Sequence, residues 1–319
     1  MKFIKFVLIA ICVIAVLLVS LVGCFSWLAK QPAVKKDYYN DIVTDKPLEQ
    51  KYTAMGSNEV SFVEYNAEDT KIGRYRIWYP TAMENSLEKY PLVIMANGTG
   101  IPSSKYEAIF EHLASWGFIV AGNEDHESWN GYSSSKTLDF LIKCNENSES
   151  IFYSKIDVSN IGIAGHSQGG VGAINAVTAQ DNGSLFTAIY TASTTHIVLA
   201  EALKWSYDVS KINIPYFMTA GTLKADAGDG IEGSSNVGIA PLSSLKENYE
   251  KIDGDVAKIL ARRTNTDHGE MLAKADGYMT AWFMYLLKGD TEAEKVFIGD
   301  GAEILSNSNW QDVQRSHQY

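Results

Sequence analysis

Gly165-His166-Ser167-Gln168-Gly169-Gly170 restricts the possible folds of this chain more than any other six residues. Asn160-Ile161-Gly162-Ile163-Ala164 precedes it, a short apolar run of the kind found in strands buried on both faces. Residues 168–179 follow, rich in small side chains and suited to a closely packed helix. A serine with glycines two places before and two places after, between strand and helix, implies a sharp turn with strained backbone. A side chain at either glycine would collide with the turn. Such a turn lifts the serine oxygen above the sheet and aims the helix N-terminus at it. Backbone N–H groups are then free to meet developing negative charge. Ser167 is therefore a candidate nucleophile.

The rest of the chain supplies a matching frame. Residues 60–65 and 74–79 alternate like an antiparallel pair of edge strands. Pro91 to Ala96 is another continuous apolar run. Tyr106, Ile109, Phe110, Leu113 and Trp116 recur at helical spacing and stop at Gly117. Strands are expected at 118–121, 160–165, 186–190, 216–220 and 257–263, the last of the sheet. Helices are expected around 135–144 and 168–179, with a closing helix at 277–288. Strands alternating with helices imply an α/β class: a mostly parallel sheet covered on both faces. The stretch 193–211 between two core strands is too short for a large cap domain. The site is expected to be open, with at most a short helix around 198–205. Trp129, Tyr132 and Trp205 are either cleft-lining or simple packing residues.

The 319 residues are 46% hydrophobic and 20% charged, enough for a sizeable core. With a formal net charge of −11 and no basic block in the body, nucleic acid is excluded as a partner. Lys2 and Lys5 precede an apolar run from Phe6 to Val22. Leu21-Val22-Gly23-Cys24 matches a lipobox, so Cys24 is a candidate lipidation site. The run is equally long enough for an uncleaved membrane anchor. Both readings put the body outside the cytoplasm, attached to a membrane. The expected organisation is an anchor or signal segment at 1–29, a tether at 30–58 and a catalytic domain at 59–319. A monomer is expected. Of three cysteines only Cys144 lies in the body, which excludes an intramolecular disulfide there.

A serine hydroxyl needs a base. In the order of a G-x-S-x-G hydrolase the acid and then the histidine follow the serine. Beyond residue 200 only His268 and His317 occur. His268 follows the expected last strand, whereas His317 sits near the end of a polar tail. The acid should follow the strand 216–220, where Asp226 and Asp229 both stand; Asp226 is nearer the strand end. Asp267 adjoins His268 too closely to reach its ring and reads as a turn residue. Asp226, Asp229 and Glu232 do not have EF-hand spacing, and His112, His126 and His196 lack metal-ligand spacing. No metal or other cofactor is implied. The second oxyanion donor should come from Asn97-Gly98-Thr99-Gly100, after the strand 91–96. By position the donors are the N–H groups of Thr99 and Gln168.

The run Pro91 to Gly117, with Asn-Gly-Thr-Gly and then Leu113-Ala114-Ser115-Trp116-Gly117-Phe118-Ile119-Val120, resembles a branch of the α/β-hydrolases. That branch holds cutinase-like polyester hydrolases, dienelactone hydrolase-like proteins and chlorophyllase-like esterases. The Gly-His-Ser-Gln-Gly-Gly turn and the His268 segment agree with it, over residues 59–290. The resemblance implies an α/β-hydrolase fold and a serine esterase acting on small or polymeric esters. An acyltransferase or peptidase of the same fold, or a catalytically silent binding module, are the alternatives. Asn97 stands where the branch usually has His or Pro, Thr99 where polyester hydrolases often carry an aromatic residue, and their late disulfide is missing. These departures bear on polyester recognition and leave ester hydrolysis as expected.

Overall fold

Tyr90–Ala96 (β3) sits inside the sheet, and its side chains alternate between two cores. Val93 and Met95 join one hydrophobic cluster, and Leu92, Ile94 and Ala96 join the other. A strand buried on both faces needs an unbroken apolar run, which is what this segment supplies. The computed structural model describes residues 31–230 and 236–316, and from Val34 onward the chain forms one compact unit. Cys24, the apolar run before it and His317 lie outside the described residues. Among the described residues no helix is long and apolar enough to cross a membrane.

Among the described residues, nine strands form one sheet in the order β1-β2-β4-β3-β5-β6-β7-β8-β9. They are β1 (Val60–Asn66), β2 (Arg74–Pro80), β3, β4 (Ile119–Asn123), β5 (Ile156–His166), β6 (Ala188–Ala192), β7 (Tyr216–Gly221), β8 (Lys258–Arg263) and β9 (Trp310–Arg315). The run β4-β3-β5-β6-β7-β8 is parallel; β1, β2 and β9 are antiparallel to their neighbours. The helices are α1 (Pro47–Thr53), α2 (Glu107–Ser115), α3 (Tyr132–Glu146), α4 (Gln168–Ala179), α5 (Ile197–Ala202), α6 (Lys224–Ala227), α7 (Leu242–Lys251), α8 (Met271–Lys274), α9 (Asp276–Lys288), α10 (Thr291–Glu294) and α11 (Glu303–Ser306). Buried residues of α2 and α9 cover one face of the sheet, and those of α3 and α4 the other. The C-terminal ends of the parallel strands open onto the loops that carry the candidate site residues.

Two expectations need correction. The first is the tether. From Val34 the segment 30–58 is folded: a 3-10 turn at Tyr38–Asp41 and helix α1 both pack into the domain. Most of its polar residues are exposed, which made it look solvated, but Glu49 is buried and paired. Glu49 accepts from Arg263 (2.8 Å), Trp310 (2.9 Å) and Asn307 (2.9 Å). Glu303 accepts the N–H groups of Leu48 (2.8 Å) and Glu49 (2.7 Å), the unpaired donors of the first turn of α1. Tyr38 donates to Asp276 (2.5 Å), which also faces His112 Nδ1 (2.7 Å). His112 Nε2 faces the Ala54 carbonyl (2.9 Å), so both ring nitrogens meet acceptors and the ring is held as imidazolium. Burial pushes His112 down, but Asp276 and the backbone carbonyls outweigh it and raise its pKa above 6.5.

The second correction concerns the end of the sheet. The strand 258–263 is not the last. Beyond the expected closing helix, β9 pairs antiparallel with β8 and covers that edge. Its exposed residues Gln311, Asp312 and Gln314 gave the tail its polar look. The β6–β7 connection holds only α5 and a 3-10 turn at Val209–Lys211, so no large cap is present there.

Candidate active site

Ser167 stands between the end of β5 and the start of α4, with φ +59° and ψ −122°. A positive φ is strained for a non-glycine residue and persists only when the surroundings enforce it. The surroundings are tight. A Cβ on Gly165 would fall on the Gly169 carbonyl, and one on Gly169 on the carbonyl of Ala96 in β3. The Ser167 N–H is fixed on Ala192 O at the end of β6 (3.0 Å), and Ser167 O accepts from Gly170 N (3.0 Å).

Asp226 and His268 meet over this turn. His268 Nδ1 donates to Asp226 Oδ1 at 2.6 Å. Asp226 is fully buried, and its second oxygen accepts from the Ser193 hydroxyl and from Gly221 N–H (2.6 Å). With both oxygens engaged the carboxylate cannot swing away from the imidazole. Asp229 faces outward and pairs with Lys224 at 3.1 Å. Of the two aspartates left open by the sequence, the geometry joins Asp226 to the histidine. Among the described residues no hydrogen bond links the Ser167 hydroxyl to His268. Such contacts are often loose before substrate binds.

The expected oxyanion loop is fixed through its backbone N–H groups. Gly98 N–H donates to Tyr106 Oη (3.1 Å), Gly100 N–H to His126 O (3.0 Å) and Ile101 N–H to Gly98 O (3.1 Å). Thr99 is exposed, and among the described residues its N–H makes no such bond. The N–H of Gln168, first residue of α4, is likewise not taken up by a backbone carbonyl. The Gln168 side chain is buried and accepts from Ser128 N–H (3.0 Å). Asn97, which stands where the resembled branch usually has His or Pro, is buried. Its amide donates to the carbonyls of Asn123 (2.8 Å) and Asp125 (2.7 Å), tying the loop after β3 to the loop after β4.

His166, beside Ser167, ties the serine turn to the His268 loop. Its Nε2–H donates to the carbonyl of His268 (2.8 Å), and the two rings lie 4.6 Å apart. Burial and the neighbouring His268 pull its pKa down to about 4, so it stays neutral while it holds the His268 loop. Ser193 was not foreseen at all. It has φ +53°, and nothing local in Ala192-Ser193-Thr194 signals that. Trp129 and Trp205 pack against the second core cluster. Tyr132 donates to Asp69 (2.9 Å) at a surface cavity that neither Ser167, Asp226 nor His268 lines. Cys144 is a free, half-buried thiol in α3. Among the described residues no group of His, Cys, Asp and Glu is arranged to hold a metal ion.

A mostly parallel sheet with a strained serine turn at its centre, and an Asp–His pair on the next loops, defines an α/β-hydrolase. The model of the PET hydrolase-like family matches residues 53–312, most of the chain. The protein belongs to that family, whose members are ester hydrolases of the α/β-hydrolase type. No curated protein matches the sequence.

Proposed function

We propose that the protein hydrolyses carboxylic esters through an acyl-enzyme on Ser167. The observation that carries the reading is the 2.6 Å bond from His268 to a buried, immobilised Asp226, beside a serine on a strained turn. His268 Nε2 takes the Ser167 proton as the hydroxyl oxygen attacks the ester carbonyl. The N–H groups of Thr99 and Gln168 receive the oxyanion, and Asp226 keeps Nδ1 protonated and the ring oriented. The imidazolium returns its proton to the leaving alcohol. Water, deprotonated by His268, then attacks the acyl-enzyme, releasing the acid and restoring Ser167. Removing one oxyanion donor typically costs about 100- to 1,000-fold in rate, so these two N–H groups are central to the reading.

The family's name points to PET. Asn97 and Thr99 depart from the polyester-hydrolase pattern, so the proposal is for carboxylic esters generally. A p-nitrophenyl ester series of increasing acyl length, run beside PET film, separates the two. Hydrolysis of the short esters, with a serine-bound acyl group trapped on Ser167, is the expected result. A purified chain inactive on the whole series would contradict it. An added alcohol acceptor distinguishes hydrolysis from acyl transfer. We also propose that the catalytic domain works outside the cytoplasm, attached through lipidated Cys24 or through the apolar run itself. The mass of the mature N-terminus decides between the two.

A further inference from the structure

His268 and Asp226 arrive on different loops, each on a very short helical turn. Asp226 lies in the four-residue α6, and His268 opens the 3-10 turn His268–Glu270. Turns this short are marginal by themselves, and their first N–H groups need outside acceptors. The neighbouring backbone supplies some: Thr266 O accepts from Thr222 N–H and Leu223 N–H, both at 3.0 Å. One side chain supplies two more. Asp267 Oδ1 accepts from His268 N–H (2.9 Å) and from Ala225 N–H (2.8 Å). The first N–H begins the turn that carries the base, and the second lies in the turn that carries the acid. The Asp267 N–H itself donates to Glu270 Oε2 (3.0 Å), completing a capping box whose far end is held by Lys274 at 3.0 Å.

We propose that Asp267 is a positioning residue, whose one carboxylate oxygen caps both turns and thereby sets His268 Nδ1 against Asp226 Oδ1. It rests on the reading of Ser167, His268 and Asp226 given above. Asp267 cannot serve as the acid, because its oxygen is spent on the backbone and not on a ring nitrogen. It acts on the pair by fixing the two backbones, as a clasp between the loops. The role asks only for an acceptor oxygen, so asparagine should serve in its place.

The test uses the full chain with p-nitrophenyl acetate and compares Asp267→Ala, Asp267→Asn, Glu270→Ala and Ser167→Ala. Asp267→Ala should lower kcat about tenfold with little change in KM, the scale of losing hydrogen bonds to a charged group. Its downfield proton resonance from His268 Nδ1 should broaden or vanish. Asp267→Asn should restore most of kcat and the resonance. Glu270→Ala removes only the other half of the capping box; it should lower Tm and leave kcat near the wild type. Wild-type kcat and resonance in Asp267→Ala would overturn the proposal. So would a kcat loss that merely follows Tm across Asp267→Ala and Glu270→Ala, or an Asp267→Asn as impaired as the alanine. Activity surviving in Ser167→Ala would instead sink the underlying triad reading.

Discussion

Ser193 touches neither the serine nor the imidazole, yet its hydroxyl occupies the Asp226 oxygen that His268 leaves free. Ser193→Ala should release that oxygen and lower kcat by about tenfold while KM holds, since hydrogen bonds to charged groups are worth about 1.5–3 kcal/mol. Steady-state kinetics on a short ester checks it; an unchanged kcat would show that Gly221 N–H alone holds the carboxylate. The histidines give a second residue-scale test. His166 has its pKa lowered from 6.5 to about 4, so the unfolded chain takes up its proton first as pH falls. The stability tied to it is complete above pH 6.5 and is lost as pH falls toward 4. His112 has its pKa raised, so its contribution is complete below pH 6.5 and is lost as pH rises through the folded value. The Tm gap between wild type and His112→Gln should therefore shrink with rising pH, and a gap independent of pH would contradict the imidazolium assignment. Ser167, Gln168 and His268 were legible as candidates because the proposed chemistry fixes their neighbours in sequence. Ser193 was not, because its role depends on a positive φ and on a partner 33 residues away.

At the scale of elements, α1 shows why the segment 30–58 read as a tether. A helix normally signals its start with a local cap, and Lys46 provides none. The acceptor for Leu48 N–H and Glu49 N–H is Glu303, over 250 residues later. Glu49 in turn is buried because Arg263, Asn307 and Trp310 surround it, and all three lie in the last fifth of the chain. Short-range pattern cannot reveal a carboxylate whose partners come from the far terminus. Strands β3 and β5, by contrast, declare themselves through continuous apolar runs. Glu49→Ala leaves Arg263 buried without its carboxylate, a change that typically costs about 3–5 kcal/mol. Denaturant unfolding should show a loss of that size, and a loss below about 1 kcal/mol would return this segment to the status of a tether.

The whole molecule leaves its serine turn without a large cap between β6 and β7. Hydrolysis should follow simple saturation with soluble esters and show no activation when the substrate forms an interface. A sharp rise at the onset of substrate aggregation would reveal a lid elsewhere. The parallel order of the sheet was readable from strand–helix alternation, and it puts the loops after β3, β5, β7 and β8 at one edge. The antiparallel β9 was not, because an edge strand with one solvated face carries half the apolar signal of a buried one. The central claim is that Ser167 is the nucleophile. A fluorophosphonate probe with peptide mass spectrometry tests it most directly. One adduct on Ser167, absent from Ser167→Ala and blocked by a short ester, is the result this account requires. Equal labelling of Ser167→Ala, or no labelling of the wild type, would contradict it.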